Sequence, residues 1–519
     1  VIRKTVRLPE TQDGEPICQS WRQMVNIGYA HDGLIGSVQE QLRRAQKEIG
    51  FTYLRFHGIF DDDMHIYQEN EDGSPWFNFA YADLLFDFIQ EIGLIPYVEL
   101  GYMPSKLAKT QYTVFDNPAI CISMYNDSEK WQALVQACLS HWIDKYGLAN
   151  VRKWRFTVFS MNYSRLQYTA PVMSHEDYCK MFEATYQTIK MIDPELKLGG
   201  AGCFPGIALA PDGLRRFLLD VKEHGCPPDF ITVQCYPHED FSQDSDFFYF
   251  TSKQTSMPSV LSKDKNFTLH FLQRLNRIRQ EIGFADCPVV VEEWNSTLWQ
   301  RDLSGDTCYK AAWLIKNVLQ NYDQAEYLGY WLLTDFLDEW LVPGGVFHGG
   351  YGLFTINGIP KAGYQALRML GRIGERKIAS GEGWFVSRTE NTIQVYLYHY
   401  CHYDALYRYR YQQLTDPHDA YKVFESDGRL KIELELCGLD PGIYRQEIWT
   451  INRSAGSTFD RWIEMGAPGV MTPEDLKYLN DMAQPLCKIR DTDTVGTLRL
   501  QAELEPHEVR LIVLKKRDG

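Results

Sequence analysis

The chain has 519 residues, of which 45% are hydrophobic and 14% aromatic, so it can bury a large core and is not a disordered segment. Its formal net charge of −15 excludes a broad basic surface for nucleic acid, because phosphate contacts require clustered Lys and Arg. The length suits two or three domains, or one large barrel with an appendage.

The twelve cysteines are scattered singly, without a C-x-x-C pair. This usage indicates buried thiols in a reducing compartment rather than a zinc ribbon or a disulfide framework. The sequence contains no signal-peptide core and no apolar run long enough to span a membrane. We therefore expect a cytoplasmic protein that makes no membrane contact. The first residue is Val1 rather than Met, which fits either a processed chain or a piece of a longer one.

In chain order, the segment Val1–Leu8 alternates apolar and polar residues and predicts a lone strand. From Met24 onward, apolar strands alternate with amphipathic helices, the pattern of parallel βα units. Eight strands are predicted, at Met24–Tyr29, Tyr53–Gly58, Ile95–Gly101, Arg155–Ser160, Lys197–Gly200, Phe230–Tyr236, Val289–Trp294 and Tyr327–Leu333. The helices predicted between them include Val38–Ile49, Tyr81–Ile92, Ser128–Tyr146, His175–Ile192, Phe271–Ile282 and Tyr309–Asn321. Eight such units predict a TIM (β/α)8 barrel.

Beyond Leu370 the pattern changes to strands without long helices between them, as in a β-sandwich. The predicted strands are Thr392–Tyr400, Leu430–Leu436, Ile443–Ile451, Gly496–Ala502 and Glu508–Leu514. One helix, Pro473–Met482, follows Thr472, which supplies an N-cap. We predict a TIM barrel over residues 16–370 and an accessory β-sandwich over residues 371–519, completed by the amino-terminal strand 1–8.

The carboxyl ends of the predicted barrel strands carry polar and aromatic residues, and functional groups of TIM barrels lie at that face. They are Arg55, His57, Glu99, Tyr102, Gln234, Tyr236, His238, Glu293, Trp294, Asn295, Trp331 and Asp335. A single Trp or Tyr at a strand end is more often packing than a binding platform. The clustering of the whole set favours a site for sugars, which offer hydroxyl groups to polar side chains and C–H faces to rings.

Metal binding is not expected at these strand ends. His57, His238 and His348 lack ligand spacing and belong to different loops, and His399 and His402 lie in an apparent strand, where they would face opposite sides. We expect neither a metal nor a cofactor.

Five segments, in this order along the chain, resemble glycoside hydrolase family 39, the β-xylosidase and α-L-iduronidase group. They are Tyr53–Gly58, Tyr97–Pro104, Ile189–Gly200, Glu293–Asn295 and His348–Phe354. The resemblance covers nearly the whole chain. It implies a TIM barrel, a retaining double displacement and a nucleophilic Glu at the end of strand seven, which matches Glu293. Glu292 is the rival, but adjacent residues of a regular strand face opposite ways.

The sequence departs from the family at strand four. Where the family carries an Asn-Glu-Pro triplet, this chain has Ser160, Met161 and Asn162, so Met161 occupies the position of the general acid/base. A thioether cannot donate a proton. Retaining hydrolysis needs a carboxylic acid about 5–5.5 Å from the nucleophile, and such general acid–base help contributes roughly 10²–10⁴ in rate.

Strand six departs as well, with Gln234 where the family commonly has His, whereas Tyr236 remains where a Tyr usually supports the nucleophile. Arg55 is expected to orient acids at the barrel end more than to contact sugar. The full set predicted to bind substrate is Arg55, His57, Glu99, Ser160, Gln234, Tyr236, Trp294, Asn295, Trp331, Asp335 and His348.

Two functional classes compete. In the first, the chain is a sugar receptor on a hydrolase scaffold, similar to the hydrolase-like portion of arabinose-operon-type helix-turn-helix regulators, whose DNA-binding part would lie outside these residues. In the second, it is an active retaining glycosidase that uses activated substrates or a relocated acid from among Glu99, Asp338, Glu339, Asp62 and Asp63. A purely structural domain is a third, weaker hypothesis. The partner is a small sugar or glycoside whose identity stays open, and a homo-oligomer is compatible with the sequence.

Overall fold

The computed structural model describes the whole chain except residues 10–13, 114–118, 163–172, 211–212, 241–258, 338, 340–344, 411–412, 426–427 and 518–519. Eight parallel strands close into a barrel in sequence order. The strands are β1 (Met24–Tyr29), β2 (Tyr53–His57), β3 (Ile95–Leu100), β4 (Arg155–Val158), β5 (Lys197–Cys203), β6 (Phe230–Cys235), β7 (Val289–Trp294) and β8 (Tyr327–Tyr330). This architecture confirms the predicted TIM barrel.

Each barrel strand is followed by a helix that covers its outer side. The helices are α1 (Gly36–Glu48), α2 (Ala80–Glu91), α3 (Ser128–Tyr146), α4 (His175–Ile192), α5 (Leu214–Glu223), α6 (Phe267–Glu281), α7 (Cys308–Asn321) and α8 (Ala362–Leu370). Helices α5 and α8 were not predicted, since their short sequences give few periods. Every residue of β1, β2, β6, β7 and β8 is buried, as expected for parallel strands with a filled interior and a helical jacket.

Two further sheets follow the barrel. A seven-stranded sheet includes β9 (Arg376–Gly381), β10 (Trp384–Arg388), β11 (Thr392–Tyr398), β13 (Gly442–Ile451), β14 (Leu486–Thr494) and β16 (Val509–Lys516), together with the short strand Glu15–Pro16. A three-stranded sheet joins β12 (Leu430–Cys437), β15 (Thr497–Leu504) and the amino-terminal strand Ile2–Arg7, which pairs in parallel with β12. Strand β14 was missed because most of its residues are polar and exposed, so it lacks an apolar alternation. Two helices, Thr458–Glu464 and Pro473–Asp481, lie between β13 and β14.

The seven-stranded sheet is the middle layer between the barrel and the three-stranded sheet. On β11, Tyr396 and Tyr398 join the core shared with the barrel, whereas Val395 and Leu397 join the core shared with the three-stranded sheet. The Tyr396 hydroxyl donates to the Met369 carbonyl at the end of α8 (2.7 Å). The period of two along this strand therefore assigns one face to each neighbour. The division into domains at residue 370 stays a prediction.

No helix in the described part of the chain is both long and apolar enough to cross a bilayer.

Replacing Leu434 by Ala tests the outer core. Leu434 lies on β12 and is 1% exposed, so truncation should cost about 2–5 kcal/mol of unfolding free energy through lost burial and a cavity. Its neighbour Glu433 faces outward and pairs with Arg3, so Glu433→Ala is the control and should change stability by less than about 1 kcal/mol. Denaturant melts followed by circular dichroism would measure both. Equal effects of the two substitutions would contradict the face assignment.

Candidate active site

The carboxylate of Glu293, at the end of β7, is held by four side chains. Its Oε1 accepts hydrogen bonds from Arg55 Nη1 (2.9 Å), His57 Nε2 (3.0 Å) and Gln234 Nε2 (3.0 Å). Its Oε2 accepts a hydrogen bond from the Tyr236 hydroxyl (3.0 Å). Three donors saturate Oε1, whereas Oε2 keeps acceptor capacity. The two oxygens are therefore unequal, and among the residues that the structure describes it is Oε2 that keeps a lone pair unused.

His57 lies between two carboxylates. Its Nδ1 is 2.6 Å from Glu99 Oε1, and its Nε2 faces Glu293. Because both neighbours are acceptors, both ring nitrogens donate, which describes an imidazolium. Burial alone would lower the pKa of His57, but Glu99 and the hydrogen bonds to both carboxylates raise it to about 10. The rings of Tyr102 and Trp331 pack against it, with centroids 5.7 and 5.0 Å away.

Arg55 is completely buried beneath this cluster. Its Nη2 donates to Glu99 Oε2 (2.7 Å), and its Nη1 also reaches Asn26 Oδ1 (3.2 Å). Burial opposes its charge, yet the surrounding glutamates hold its pKa well above the usual range. Burial would also raise the pKa of Glu293, but Arg55 and the hydrogen-bonded His57 outweigh it and lower that pKa. Glu293 is thus kept ionised.

The predicted orientation of Glu292 is wrong. Val291 pairs with Val233 and Glu293 with Gln234, so β7 carries one extra residue relative to β6. Against β8 the same strand again gains a residue between Val291 and Trp294. This β-bulge interrupts the in–out alternation, and Glu292 also faces the interior, where its Oε1 lies 3.6 Å from Arg55 Nη2.

Two residues accommodate the bulge. Gly202 is itself an extra residue of β5, with φ of +65°, and a Cβ there would lie 2.4 Å from Glu292 Oε1. Only glycine suits that backbone conformation and that close approach. Asn26 on β1 donates from Nδ2 to the carbonyls of Glu292 (3.0 Å) and Tyr330 (3.1 Å), which satisfies backbone groups near the irregularity.

Met161 lies at the carboxyl end of β4 and is 1% exposed. Its neighbour Asn162 donates from Nδ2 to Gln234 Oε1 (2.9 Å), and Gln234 in turn donates to Glu293. Asn162 also accepts from the Phe204 amide (2.7 Å), and Ser160 donates to the Gly202 carbonyl. Position 161 is therefore next to Asn162, which is connected to Glu293 through one side chain, that of Gln234. Ser160 is engaged by backbone.

Four other residues predicted to bind sugar have structural partners. Trp294 points into the helical layer, where its ring packs against Trp313 on α7 (4.5 Å) and its Nε1 donates to Thr268 (3.4 Å). Asn295 accepts from the Lys310 ammonium (2.5 Å) and donates to the Trp331 carbonyl. Asp335 pairs with Lys361 (2.6 Å). His348 Nδ1 lies 3.3 Å from the Gly345 carbonyl. For Trp294 the placement corrects the expected sugar contact, because the residue that follows the inward-facing Glu293 faces the opposite side of the strand.

The alternative acids differ in placement. Glu99 uses one oxygen for Arg55 and the other for His57, and Asp62 accepts from the Ser105 amide (3.0 Å). Burial raises the pKa of Asp63, and the nearby His31 and His65 oppose that shift. Asp338 lies outside the described residues. Glu339 is half-buried, accepts from the Tyr29 hydroxyl (3.2 Å), and has a pKa raised by burial to about 8.

An ionised carboxylate fixed at the end of the seventh strand of a TIM barrel, among rings and further carboxyl groups, defines a glycoside hydrolase scaffold. The comparison with protein families gives the particular group. The sequence model described as "Glycosyl hydrolases family 39" matches residues 4–499, and the chain belongs to that family.

Several known proteins are similar to this chain. A "Beta-xylosidase" from Geobacillus stearothermophilus is 26% identical over 99% of this chain and 96% of its own length. A "Beta-xylosidase" from Caldicellulosiruptor saccharolyticus is 34% identical over 69% of each protein. The crystal structure of a monomeric beta-xylosidase from Caulobacter crescentus CB15 has the same fold, with a TM-score of 0.85 over the full length of both chains at 22% identity. A weaker similarity, 22% over 44% of this chain and 29% of the other, connects it to an uncharacterized HTH-type transcriptional regulator from Staphylococcus aureus.

Sequence reasoning missed Asn26, Tyr29, Asn162 and Gly202 as parts of the site. Asn26 gave one usable signal, because it is a polar residue within an apolar strand. The others follow from register and loop placement, which no local pattern encodes.

The buried Glu292 predicts a specific pH dependence of stability. Burial and the charges of Glu99 and Glu293 raise its pKa to about 7, against the opposing effect of Arg55. In the unfolded chain the pKa is about 4.3, so the stability contributed by the protonated form is full below about pH 4 and is lost as the pH rises to about 7. Glu292→Gln cannot ionise, and relative to wild type it should gain up to about 3 kcal/mol between pH 4 and pH 7.

The matched control is Glu293→Gln. Because the folded-state pKa of Glu293 is lowered, its carboxylate contributes stability above about pH 4.3 that is lost in acid. The stability of Glu293→Gln relative to wild type should therefore fall as the pH rises, which is the opposite of the trend expected for Glu292→Gln. Urea unfolding between pH 4 and pH 8 measures all three proteins. Parallel stability curves for wild type and Glu292→Gln would contradict the placement of Glu292.

Proposed function

We propose that this chain is a family 39 carbohydrate-binding domain that can form a glycosyl bond to Glu293 but hydrolyses ordinary glycosides poorly. The probe substrates are β-xylosides, since the two similar curated relatives are named beta-xylosidases. Glu293 is the proposed nucleophile. The proposed sugar-binding surroundings are Arg55, His57, Glu99, Ser160, Gln234, Tyr236 and Trp331.

The single observation that carries the impairment is Met161. It lies where the family resemblance expects the proton donor, and the hydrogen-bonded path from Asn162 through Gln234 to Glu293 supports that correspondence. Ser160 and Asn162 are committed to Gly202, Gln234 and Phe204. The described residues at this end of strand four, Ser160, Met161 and Asn162, therefore supply packing and hydrogen bonds but no carboxylic acid.

The environment of Glu293 supports the nucleophilic half of the mechanism. A nucleophile must be ionised, and Arg55 with the His57 imidazolium keeps it so. The donors on Oε1 fix the carboxylate plane, so that Oε2 keeps a lone pair for an anomeric carbon. A leaving group that departs without a proton would then be displaced, whereas an alkoxide would not.

A sensing role suits such a domain, because a site that binds sugar and turns it over slowly reports its presence. The similarity to a Staphylococcus aureus HTH-type regulator supports this use, although it covers only part of either chain. We place the protein in the cytoplasm on its cysteine usage. Under this hypothesis any DNA contact belongs to another part of the protein.

Met161→Glu should restore hydrolysis. Glu has nearly the volume of Met, and the burial of position 161 favours the protonated form that a general acid requires. Turnover of an alkyl β-xyloside, whose leaving oxygen needs a proton, should rise by about 10²–10⁴. A dinitrophenyl β-xyloside has a leaving group that departs without a proton. The rate of its first step, glycosyl transfer to Glu293, should therefore change far less.

Met161→Gln is the control, because it has the same size but no acid. It should leave both rates near those of wild type. Intact mass after the activated substrate should show a glycosyl adduct that Glu293→Gln abolishes. Efficient turnover of the alkyl xyloside by wild type would refute the impairment and point to a relocated acid.

Glu339 favours a second candidate function, an active retaining glycosidase. Its carboxyl group is protonated at neutral pH, since burial raises its pKa to about 8, and the charge of Glu293 adds to that shift. The Tyr29 hydroxyl holds it on the β8–β1 side, and the Tyr29 ring lies 5.8 Å from that of His57. It is thus a proton donor near the nucleophile, but on the side of the barrel away from β4.

Glu339→Gln separates proton donation from sugar binding. If Glu339 donates, the variant should lose about 10²–10⁴ in rate on the alkyl xyloside and little on the dinitrophenyl xyloside. The wild-type rate on the alkyl xyloside should then fall as the pH rises through about 8, because the donor loses its proton. If Glu339 only binds sugar, the rates on both substrates should fall by the same factor, whatever the leaving group.

A further inference from the structure

We infer that His175, Cys179 and Asp220 form a zinc-binding site on the outer helical layer of the barrel. His175 and Cys179 belong to α4, and Asp220 belongs to the neighbouring α5. The site uses none of the residues placed around Glu293 and is independent of the proposed glycoside chemistry.

The three donor atoms converge on one point. Residues four apart share one face of a helix, so His175 and Cys179 point the same way, and the Cys179 Sγ lies 3.5 Å from His175 Nε2. Asp220 Oδ2 lies 2.8 Å from the same nitrogen, and all three donor atoms lie within 4.8 Å of one another. Ligand atoms around a tetrahedral zinc, with bonds of about 2.0–2.3 Å, lie roughly 3.3–3.7 Å apart. Small side-chain movements would bring the cluster to that spacing.

The arrangement differs from a nucleophilic Cys-His-Asp relay. In such a relay the carboxylate takes one ring nitrogen and the nucleophile the other. Here the thiol and the carboxylate both approach Nε2, and one nitrogen cannot pass a proton between them. A cation that replaces the shared proton bonds to all three groups at once. Thiolate sulfur, imidazole nitrogen and carboxylate oxygen together are the donors that zinc prefers.

The site is fixed on its inner side and open on its outer side. A capping box between Ser174 and Asp177 fixes the first turn of α4, which carries His175. Cys179 is buried, the His175 side chain is 15% exposed and that of Asp220 is 36% exposed. A fourth, solvent ligand therefore has room on the Asp220 side.

Zinc binding displaces Arg216 from Asp220 and displaces the protons that the donor atoms now carry. Arg216 Nε lies 3.5 Å from Asp220 Oδ2, and its half-exposed side chain can turn to solvent when a divalent ion takes that oxygen. The Cys179 S–H bond breaks as the sulfur–zinc bond forms, and that proton leaves to solvent. The Nε2 proton that His175 shares with Asp220 also leaves Nε2, because the neutral imidazole changes tautomer through solvent and carries its one proton on Nδ1 when Nε2 binds zinc. No oxidant or reductant is required.

The test titrates the full chain, stripped with a chelator, with Co²⁺ and then with Zn²⁺ alone. One Co²⁺ per chain should bind with a thiolate-to-cobalt charge-transfer band in the near ultraviolet, and Zn²⁺ should remove that band. Cys179→Ser should abolish the band, and Asp220→Asn should weaken Zn²⁺ binding by more than about tenfold, since even outer-shell changes cost 10–100-fold. Zn²⁺ should also raise the melting temperature of wild type.

Two control variants remove the same side-chain types, a thiol and an imidazole, from positions outside the proposed site. Cys226→Ser removes another buried thiol. His141→Ala removes a His–Asp pair of similar geometry (2.7 Å to Asp83), which no cysteine joins among the residues that the structure describes. Both should bind one Zn²⁺ with wild-type affinity. Absence of saturable Zn²⁺ binding to wild type, or a band that survives Cys179→Ser, would overturn the inference. If Cys179→Ser fails to fold, the half-exposed Asp220→Asn decides, and unchanged affinity in that variant overturns the site.

Discussion

The buried guanidinium of Arg55 is the interaction on which the site depends. A charge with no exposed surface is tolerated only when it is paired and hydrogen-bonded. Arg55 meets Glu99 at 2.7 Å and Glu293 at 2.9 Å, with Glu292 at 3.6 Å. Because these acids come from β3 and β7, the single cation ties distant strands together and sets the protonation of the carboxyl groups. Removal of Arg55, or of the glutamates that face it, would leave an uncompensated charge in the barrel.

The bulge in β7 gives the cluster its composition. A regular strand would show one of two adjacent glutamates to the interior, but the extra residue brings both there. The backbone disturbance is met by Asn26, which donates to the Glu292 carbonyl, and by Gly202, whose missing side chain leaves space for the Glu292 carboxyl group. Charge then divides the pair: Glu293 faces Arg55 and His57 and is ionised, whereas burial favours the neutral form of Glu292.

The geometry around Glu293 agrees with membership of glycosyl hydrolases family 39, whereas the residues at the end of strand four depart from the family. The strand-seven side provides an oriented, ionised carboxylate, and the strand-four side provides Met161 and two residues engaged in hydrogen bonds. In a retaining mechanism these two sides perform different tasks, since one forms the glycosyl bond and the other moves the proton. The proposed receptor and the proposed glycosidase with Glu339 as donor differ only in whether another group moves that proton.

The sequence by itself determined the barrel, because eight apolar strands alternate with amphipathic helices and such a pattern has few ways to bury its surface. It also placed Arg55, His57, Glu99, Gln234, Tyr236 and Glu293 at one end, since parallel strands finish on the same face. The tertiary structure alone decided the rest. The inward turn of Glu292 and the hydrogen bond from Asn162 to Gln234 depend on how β7 and β4 register against their neighbours. Register is a property of paired strands, and a bulge of one residue breaks the alternation from which the direction of a side chain is inferred along a single strand.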